Sequence, residues 1–226
     1  MSATRKKKTP TKSLRTVDRL ARLGLSTDMS LVLHLPMRYE DETTLLTIRE
    51  ASRIFGHPVQ VEGIVTDCDV QYRPRRQLVV KMADDTDTLT LRFLHFYGSQ
   101  AIQMAQGKRL RVRGEFRQGF LGNEMVHPTV KSVTPDTSLP EALTPVYPAG
   151  EGISQTILRS AIAKAMTHID WSDTLPPTLR DRLNLMPFEH SVRLLHTPPA
   201  DIDEHALIER THPAWTRMKF DELLAQ

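Results

Sequence analysis

The segment from Val59 to Val133 alternates apolar and polar side chains in five stretches, and this pattern constrains the fold more than any other feature of the chain. A period of two sends successive side chains to opposite faces of an extended chain, so each stretch predicts a strand. Residues 98–106 lack the alternation and predict a short helix that Gly107 closes. Three strands, a helix and two strands is the order of an oligonucleotide-binding (OB) barrel. Another small antiparallel barrel or sandwich stays open as the alternative.

The chain is longer than one small barrel requires, with 226 residues, so helical regions are expected on both sides of it. We predict an α+β fold in which a five-stranded OB-type β-barrel is flanked by N-terminal and C-terminal helical segments. The predicted divisions are residues 1–50, a basic arm with a helical segment; residues 51–135, the barrel; and residues 136–226, a helical segment. Eleven of the fifteen prolines lie from Pro128 onward, nine of them in the third division, where they separate short segments.

Charge is distributed unevenly along the chain. Residues 1–135 carry 22 Lys and Arg against 14 Asp and Glu, whereas residues 136–226 carry 8 against 13. The run Arg5 to Lys8 fits either an arm that neutralises phosphates or a soluble tail. No apolar run reaches the length of about 20 residues that spans a bilayer, and no secretion signal is present. The lone cysteine, Cys68, fits a reducing compartment and a packed side chain, so a cytoplasmic location is expected.

The candidate binding residues lie on the predicted barrel in three basic or aromatic groups. Arginine grips phosphate with a planar fork of donors, and flat rings stack on bases. Alternation places Phe93 inside the barrel, so the two rings that follow it are better candidates for stacking. The candidates are the turn after the first strand (Tyr72, Arg73, Arg75, Arg76), the end of the third strand (Arg92, Phe93, Phe96, Tyr97), and the fourth strand with the tip that follows it (Arg109, Arg111, Arg113, Arg117, Phe120).

The sequence offers no recognisable catalytic or metal-binding motif. A nucleotide-binding loop of the form GxxxxGK[ST] does not occur, and neither does an HExxH, a cysteine–histidine zinc pattern or a GxSxG elbow. We therefore expect no catalytic residue, metal or cofactor in this stretch, and an independent hydrolase is disfavoured.

Five short motifs, in order along the chain, carry a resemblance to a known family. They are LHLPMRYED from Leu33, LRFLHF from Leu91, GNEMVHP from Gly122, LTPVYP from Leu143 and FDELLAQ from Phe220. In these motifs, and from about Leu14 to the last residue, the chain resembles the N-terminal part of the RecG family of ATP-dependent DNA helicases.

This resemblance implies that residues 51–135 are a wedge domain. In that family the barrel docks where a replication fork or Holliday junction divides, and rings stack on the exposed bases. ATP and Mg²⁺ would serve only the motor domains, which are absent here and toward which residues 136–226 would lead. The family's aromatic pair falls on Phe93 and Leu94, so the second ring is missing. The basic and aromatic tip falls on Phe120 and Leu121, so its charge is missing as well.

The resulting hypothesis is that the chain is the junction-binding portion of a RecG-like helicase that acts in DNA repair and recombination. Branched DNA and single-stranded DNA at forks are the expected partners, with an acidic tail of a replication protein as a further one. We expect a monomer associated with the nucleoid and not with a membrane. Two alternatives stay open: a stand-alone OB-fold protein that binds single strands, and a protein interaction module.

Overall fold

The computed structural model describes residues 16–73, 75–119, 122–150 and 152–226. The strands are β1 (Arg38–Glu40), β2 (Pro58–Gln71), β3 (Gln77–Ala83), β4 (Thr88–Phe93), β5 (Arg109–Glu115), β6 (Arg117–Gly119), β7 (Gly122–Val126), β8 (Thr129–Ser132) and β9 (Thr144–Val146). The helices are α1 (Thr16–Arg22), α2 (Asp28–Val32), α3 (Ile48–Ala51), α4 (Gly98–Gln103), α5 (Gln155–Ala165), α6 (Pro177–Arg182), α7 (Phe188–His196), α8 (Glu204–Ile208) and α9 (Pro213–Leu224).

These elements form two compact units. One unit, here called the sheet unit, is Asp41–Ala142; the other, the helical unit, combines the described residues up to Glu40 with Leu143–Gln226. The helical segments at the two ends of the chain therefore belong to one unit. The three-part division predicted from sequence did not include this pairing.

The sheet unit is built on a seven-stranded sheet with the order β6-β7-β4-β3-β2-β5-β8. Neighbouring strands are antiparallel, except that β4 and β7 run parallel. The predicted fourth strand is divided at Phe116 into β5 and β6, and the predicted fifth at His127 and Pro128 into β7 and β8. The two halves of the fifth strand thus pair at opposite sides of the sheet, on β4 and β5. No strand pairing closes this sheet among the described residues, yet the α+β class with OB-type strand order is confirmed.

Alternation along the strands produces the core of the sheet unit. The inward side chains of β3 and β4 are sealed from solvent, including Leu78, Leu91 and Phe93, which is 3% exposed. Burying such side chains stabilises each by roughly 1.5–3 kcal/mol. At Gly63 the strands approach so closely that an added Cβ would lie 2.6 Å from the carbonyl oxygen of Ala83. This contact explains why that position of β2 carries glycine.

The helical unit is held by apolar packing around a buried polar network. The hydroxyl of Tyr39, on β1, donates to the carbonyl of Leu195 at 2.9 Å. The guanidinium of Arg217 is fully buried and pairs with the carboxylates of Asp173, at 2.6 Å, and Asp221, at 2.9 Å. Such a network must be complete, because an unpaired charge in this position is strongly destabilising. None of the helices in the described ranges is long and apolar enough to cross a membrane.

Candidate nucleic-acid interface

The turn between β2 and β3 projects from the end of a long hairpin. The two strands pair as far as Gln71 and Gln77, so the residues between them form its tip. Tyr72 is 72% exposed, and the side chains of Arg73, Arg75 and Arg76 are exposed as well. The structure thus places the first predicted group, three guanidiniums and a ring, in reach of a ligand.

The end of β4 meets this turn. The chain leaves the sheet after Phe93, which pairs with Leu78. The Cζ atom of Arg76 lies 4.2 Å from the centroid of the Phe96 ring, a cation–π contact. Phe96 is partly buried and packs on the core of the sheet unit, so its ring anchors the guanidinium. We call the combined region the turn surface and define it by Tyr72, Arg73, Arg75, Arg76, His95, Phe96 and Tyr97.

Tyr97 is the freest ring of the turn surface, with 81% of the residue exposed. Its backbone is nonetheless fixed, because its N–H donates to the side-chain oxygen of Gln100 at 2.9 Å at the start of α4. An exposed ring on a fixed backbone loses little conformational freedom when a base stacks on it. The ring of Phe96 is less accessible to a base than that of Tyr97, because the guanidinium of Arg76 lies over it.

His95 and His127 were not among the residues predicted for the site. His95 is exposed, and its ring stacks on His127 with centroids 6.1 Å apart and planes 20° apart. His127 donates its backbone N–H to the carbonyl of Arg92 at 2.8 Å and accepts the N–H of Leu94 on Nε2 at 3.2 Å. The motif GNEMVHP was the only signal for His127, and it gave no indication of this contact with the end of β4.

Arg92 lies beside the turn surface but is engaged within the sheet. Its Nε donates to a carboxylate oxygen of Glu124, on β7, at 2.7 Å, and its side chain is only 20% exposed. The next residue, Phe93, is buried as alternation predicted. Neither side chain projects freely toward a ligand, so their predicted DNA contacts have no support from this geometry.

The arginines of β5 form a separate row. Arg109 and Arg111 both pair with Glu62, at 2.6 and 2.9 Å, and Arg113 donates to the carbonyl of Asp41. Arg111 also donates to the carbonyls of Thr137 and Ser138. The three arginines share a face, as alternation predicted, and each donates at least one hydrogen bond within the sheet unit.

Strand register sets this row apart from the turn surface. Arg109 lies opposite Ile64 and Arg113 opposite Gln60, on the first half of β2, whereas the turn follows the last residue of that strand. The structure therefore brings the first predicted group together with Phe96 and Tyr97 of the second, and it leaves the β5 arginines of the third group elsewhere on the sheet.

Strands β6 and β7 pair at one edge of the sheet, with Gly119 opposite Gly122. The amide of Asn123 lies 3.5 Å from the carboxylate of Asp87, so the β6–β7 hairpin meets the turn between β3 and β4. Arg117 is well exposed, with its nearest carboxylate, that of Glu115, at 3.9 Å. Phe120 and Leu121 lie outside the described residues.

Charge within the sheet unit is polarised along its strands. Residues 41–142 carry 13 Lys and Arg against 13 Asp and Glu, so the unit has no net charge. Three arginines occupy the turn after β2, whereas Asp84, Asp85 and Asp87 occupy the turn after β3 at the opposite end. Most of the surplus of the first 135 residues, six of eight charges, lies in residues 1–15, where the basic arm was predicted and which are outside the described ranges. A polyanion is therefore attracted to the turn surface and repelled at the other end.

Cys68 lies on β2 and is half-buried against the core, as predicted for a packed side chain. Burial raises the pKa of its thiol, and the neighbouring carboxylates of Asp67 and Asp69 raise it further. The thiol thus stays protonated, the unreactive form. Across the described ranges, no three His, Cys, Asp or Glu side chains are grouped closely enough to hold a metal ion.

The fold and the turn surface define a class, OB-type domains that carry an arginine and aromatic surface at one end of the sheet. The chain belongs to the RecG wedge domain family, whose model matches residues 13–169. It is 37% identical over 214 residues to the ATP-dependent DNA helicase RecG of Escherichia coli (strain K12), an alignment that covers 92% of this chain and 30% of that protein. It is 34% identical over 216 residues to RecG of Haemophilus influenzae, with the same coverage.

A solved structure supports the fold. The structure of RecG bound to a three-way DNA junction matches with a TM-score of 0.64 at 18% identity, covering 86% of this chain and 27% of that one. The chain thus spans about 30% of the length of the curated relatives described above.

Proposed function

We propose that this chain binds branched DNA, at replication forks and Holliday junctions, as the wedge portion of a RecG-type helicase. The observation that carries the proposal is the contact between Arg76 and Phe96, which joins the basic turn to the strand end with the exposed rings. Membership of the RecG wedge domain family supports it. So does the fold shared with a RecG that was solved on a three-way junction.

The three arginines of the turn have the chemistry to hold the phosphate backbone. A guanidinium presents paired donors that match phosphate oxygens, and it stays charged at every physiological pH. Phe96 restrains Arg76 before DNA arrives, so less side-chain freedom is lost on binding. Tyr97, the exposed ring beside it, is free to stack on a base where two arms part.

Energetics favour a wedge that separates strands passively. Opening one base-pair step costs on average about 1.4 kcal/mol of stacking. Stacking of one base on an aromatic side chain contributes about 1–3 kcal/mol. One or two rings can therefore hold a junction open, whereas unwinding a long duplex requires a motor. We assign ATP and Mg²⁺ to the motor of the parent helicase, and no cofactor and no hydrolysis to this stretch, which acts as a monomer at the cytoplasmic nucleoid.

Competition binding tests the proposal. The purified chain is titrated with a labelled fork in the presence of unlabelled fork or unlabelled linear duplex of the same sequence. We expect the fork to compete at least tenfold better. Arg76→Ala should weaken fork binding, whereas Arg53→Ala, which removes an exposed guanidinium just after α3, should leave it unchanged. Equal competition by the two DNAs would refute branch recognition.

A second candidate function uses the same arginines. Arg73, Arg75 and Arg76 are exposed on one turn, and such a cluster also attracts an acidic peptide, such as the tail of a replication protein. An acidic peptide that binds the chain without being displaced by fork DNA would favour an interaction module. A chain that coats single strands would instead show affinity rising with strand length and no preference for a branch.

A further inference from the structure

We propose that His95 is a base-stacking residue of the branch-binding site and that His127 positions it. This inference rests on the proposed function and extends it to two residues. The segment that follows β4 begins with Leu94, which is partly buried. The next residue, His95, is an exposed ring stacked on His127.

His127 is held firmly enough to serve as a support. Two hydrogen bonds fasten it to the end of β4: its N–H donates to the Arg92 carbonyl at 2.8 Å, and its Nε2 accepts the Leu94 N–H at 3.2 Å. Its ring also meets the edge of the buried Phe93 at a centroid distance of 6.0 Å and an interplanar angle of 90°. These contacts fix both the position and the plane of the imidazole.

The backbone of His127 supports the same interpretation. Its φ is +52°, a conformation uncommon outside glycine, and it immediately precedes Pro128. An uncommon backbone conformation persists only where surrounding contacts compensate for its cost, and such positions are concentrated at functional sites. Here the compensating contacts are those that order the segment from Arg92 to His95.

His95 is placed to complete a stack. Its ring is nearly parallel to that of His127, and the centroid distance of 6.1 Å lies within the range of favourable aromatic pairs. His95 is exposed, so a base could add a third layer to the pair. The next residue, Phe96, holds the guanidinium of Arg76. Two adjacent residues therefore place the His95 ring and a phosphate-binding cation in the same segment.

Substitution of His95 tests the stacking role. We expect His95→Ala to weaken fork binding roughly 5- to 150-fold, the range for loss of one stacked base, and to change linear-duplex affinity less than about twofold. His95→Phe, which keeps a flat ring, should retain fork affinity. His57→Ala is the matched control, because that exposed histidine lies before the first residue of β2, at the other end of the strand from the turn.

A double-mutant cycle tests the positioning role. If His127 acts through His95, the fork-to-duplex affinity ratio of His95→Ala/His127→Ala should match that of either single variant. Additive losses would overturn the positioning role, as would a His127→Ala variant that melts earlier but keeps the wild-type ratio. Should His127→Ala fail to fold, the comparison of His95→Ala with His95→Phe decides the stacking role without disturbing the support.

The outcomes also separate this inference from the proposed function. If the wild-type chain shows no preference for forks, the proposed function fails. If the wild-type chain prefers forks and His95→Ala behaves like His57→Ala, the proposed function stands and this inference is wrong.

Discussion

The guanidinium of Arg76 lies over the ring of Phe96 at 4.2 Å, and this contact joins two segments that are twenty residues apart in the sequence. Phe96 rests on the core, so the contact couples a phosphate-binding side chain to the rigid part of the sheet unit.

Phe96→Leu is expected to act mainly through Arg76. Leucine keeps an apolar side chain against the core but removes the ring under the guanidinium. Loss of an exposed cation–π contact, worth about 0.5–1 kcal/mol, should weaken fork binding roughly two- to fivefold. In the Arg76→Ala background the same change should have no further effect. Fluorescence anisotropy on a labelled fork measures both, and an undiminished effect in that background would show that Phe96 contacts DNA directly.

Arg75→Ala/Arg76→Ala should weaken binding to every DNA and make it less sensitive to salt. Each phosphate contact contributes about −0.9 to the slope of log affinity against log salt, so losing two should make the slope shallower by about 1.8. Arg53→Ala/Arg182→Ala removes two exposed guanidiniums outside the turn surface and should keep the wild-type slope. The measurement is affinity over a salt series, and equal slopes for the two double variants would contradict the assignment.

Arg111→Ala should reduce stability and leave DNA binding intact. Its side chain is 8% exposed and joins Glu62 to the carbonyls of Thr137 and Ser138. Removing Arg111 takes away one of the two guanidinium partners of Glu62, although Arg109 remains, and it leaves the two carbonyls without their donor, at a cost of roughly 1–3 kcal/mol. Urea unfolding should show the loss, while fork affinity at a temperature where the variant is folded should match wild type. A large loss of affinity by the folded variant would show that the arginines of β5 do contribute to DNA binding.

The Asp173–Arg217 pair should make the helical unit sensitive to acid. The hydrogen bond from Arg217 holds the pKa of the Asp173 carboxyl well below its ordinary value. A depressed folded-state pKa adds stability above the unfolded-state pKa, and that stability is lost as the pH falls toward the folded-state value. Burial raises the pKa of the other partner, Asp221. Its ionised form therefore lowers the stability of the folded state, and this loss is recovered as the pH falls.

Melting temperatures across a pH series check this prediction. Between neutral pH and about pH 3, wild type should lose more stability than Asp173→Asn, whose side chain does not ionise in this range. Asp201→Asn, at an exposed carboxylate of the same unit, is the control and should follow wild type. Parallel curves for wild type and Asp173→Asn would contradict the role given to the pair.

Local pattern was enough to predict the core of the sheet unit. Alternation placed Phe93 inside, and the arginine-rich composition of the turn after β2 placed that turn at the surface, because both depend only on neighbouring residues. The OB-type order followed from the spacing of the strands. What alternation could not supply was the division of the last two strands, which depends on pairing with β4 and β5.

The binding site was less predictable because exposure depends on distant partners. Arg111 and Arg75 are equally basic in the sequence, yet one is sealed by Glu62 and the carbonyls of a later segment while the other is exposed. His127 reaches the end of β4 from more than thirty positions away. Likewise, the contact of Tyr39 with Leu195 that ties the two ends of the chain together has no local signature.

The most direct test of the wedge proposal places the fluorescent base 2-aminopurine at the first parental base pair of a fork and, separately, in the middle of one arm. Binding of the chain should raise the fluorescence of the branch-point probe, because that base unstacks, and should leave the arm probe unchanged. Arg76→Ala should reduce the rise in proportion to the loss of binding. An unchanged signal at the branch under saturating protein, or an equal rise at both positions, would contradict the claim that the turn surface separates DNA where two arms part.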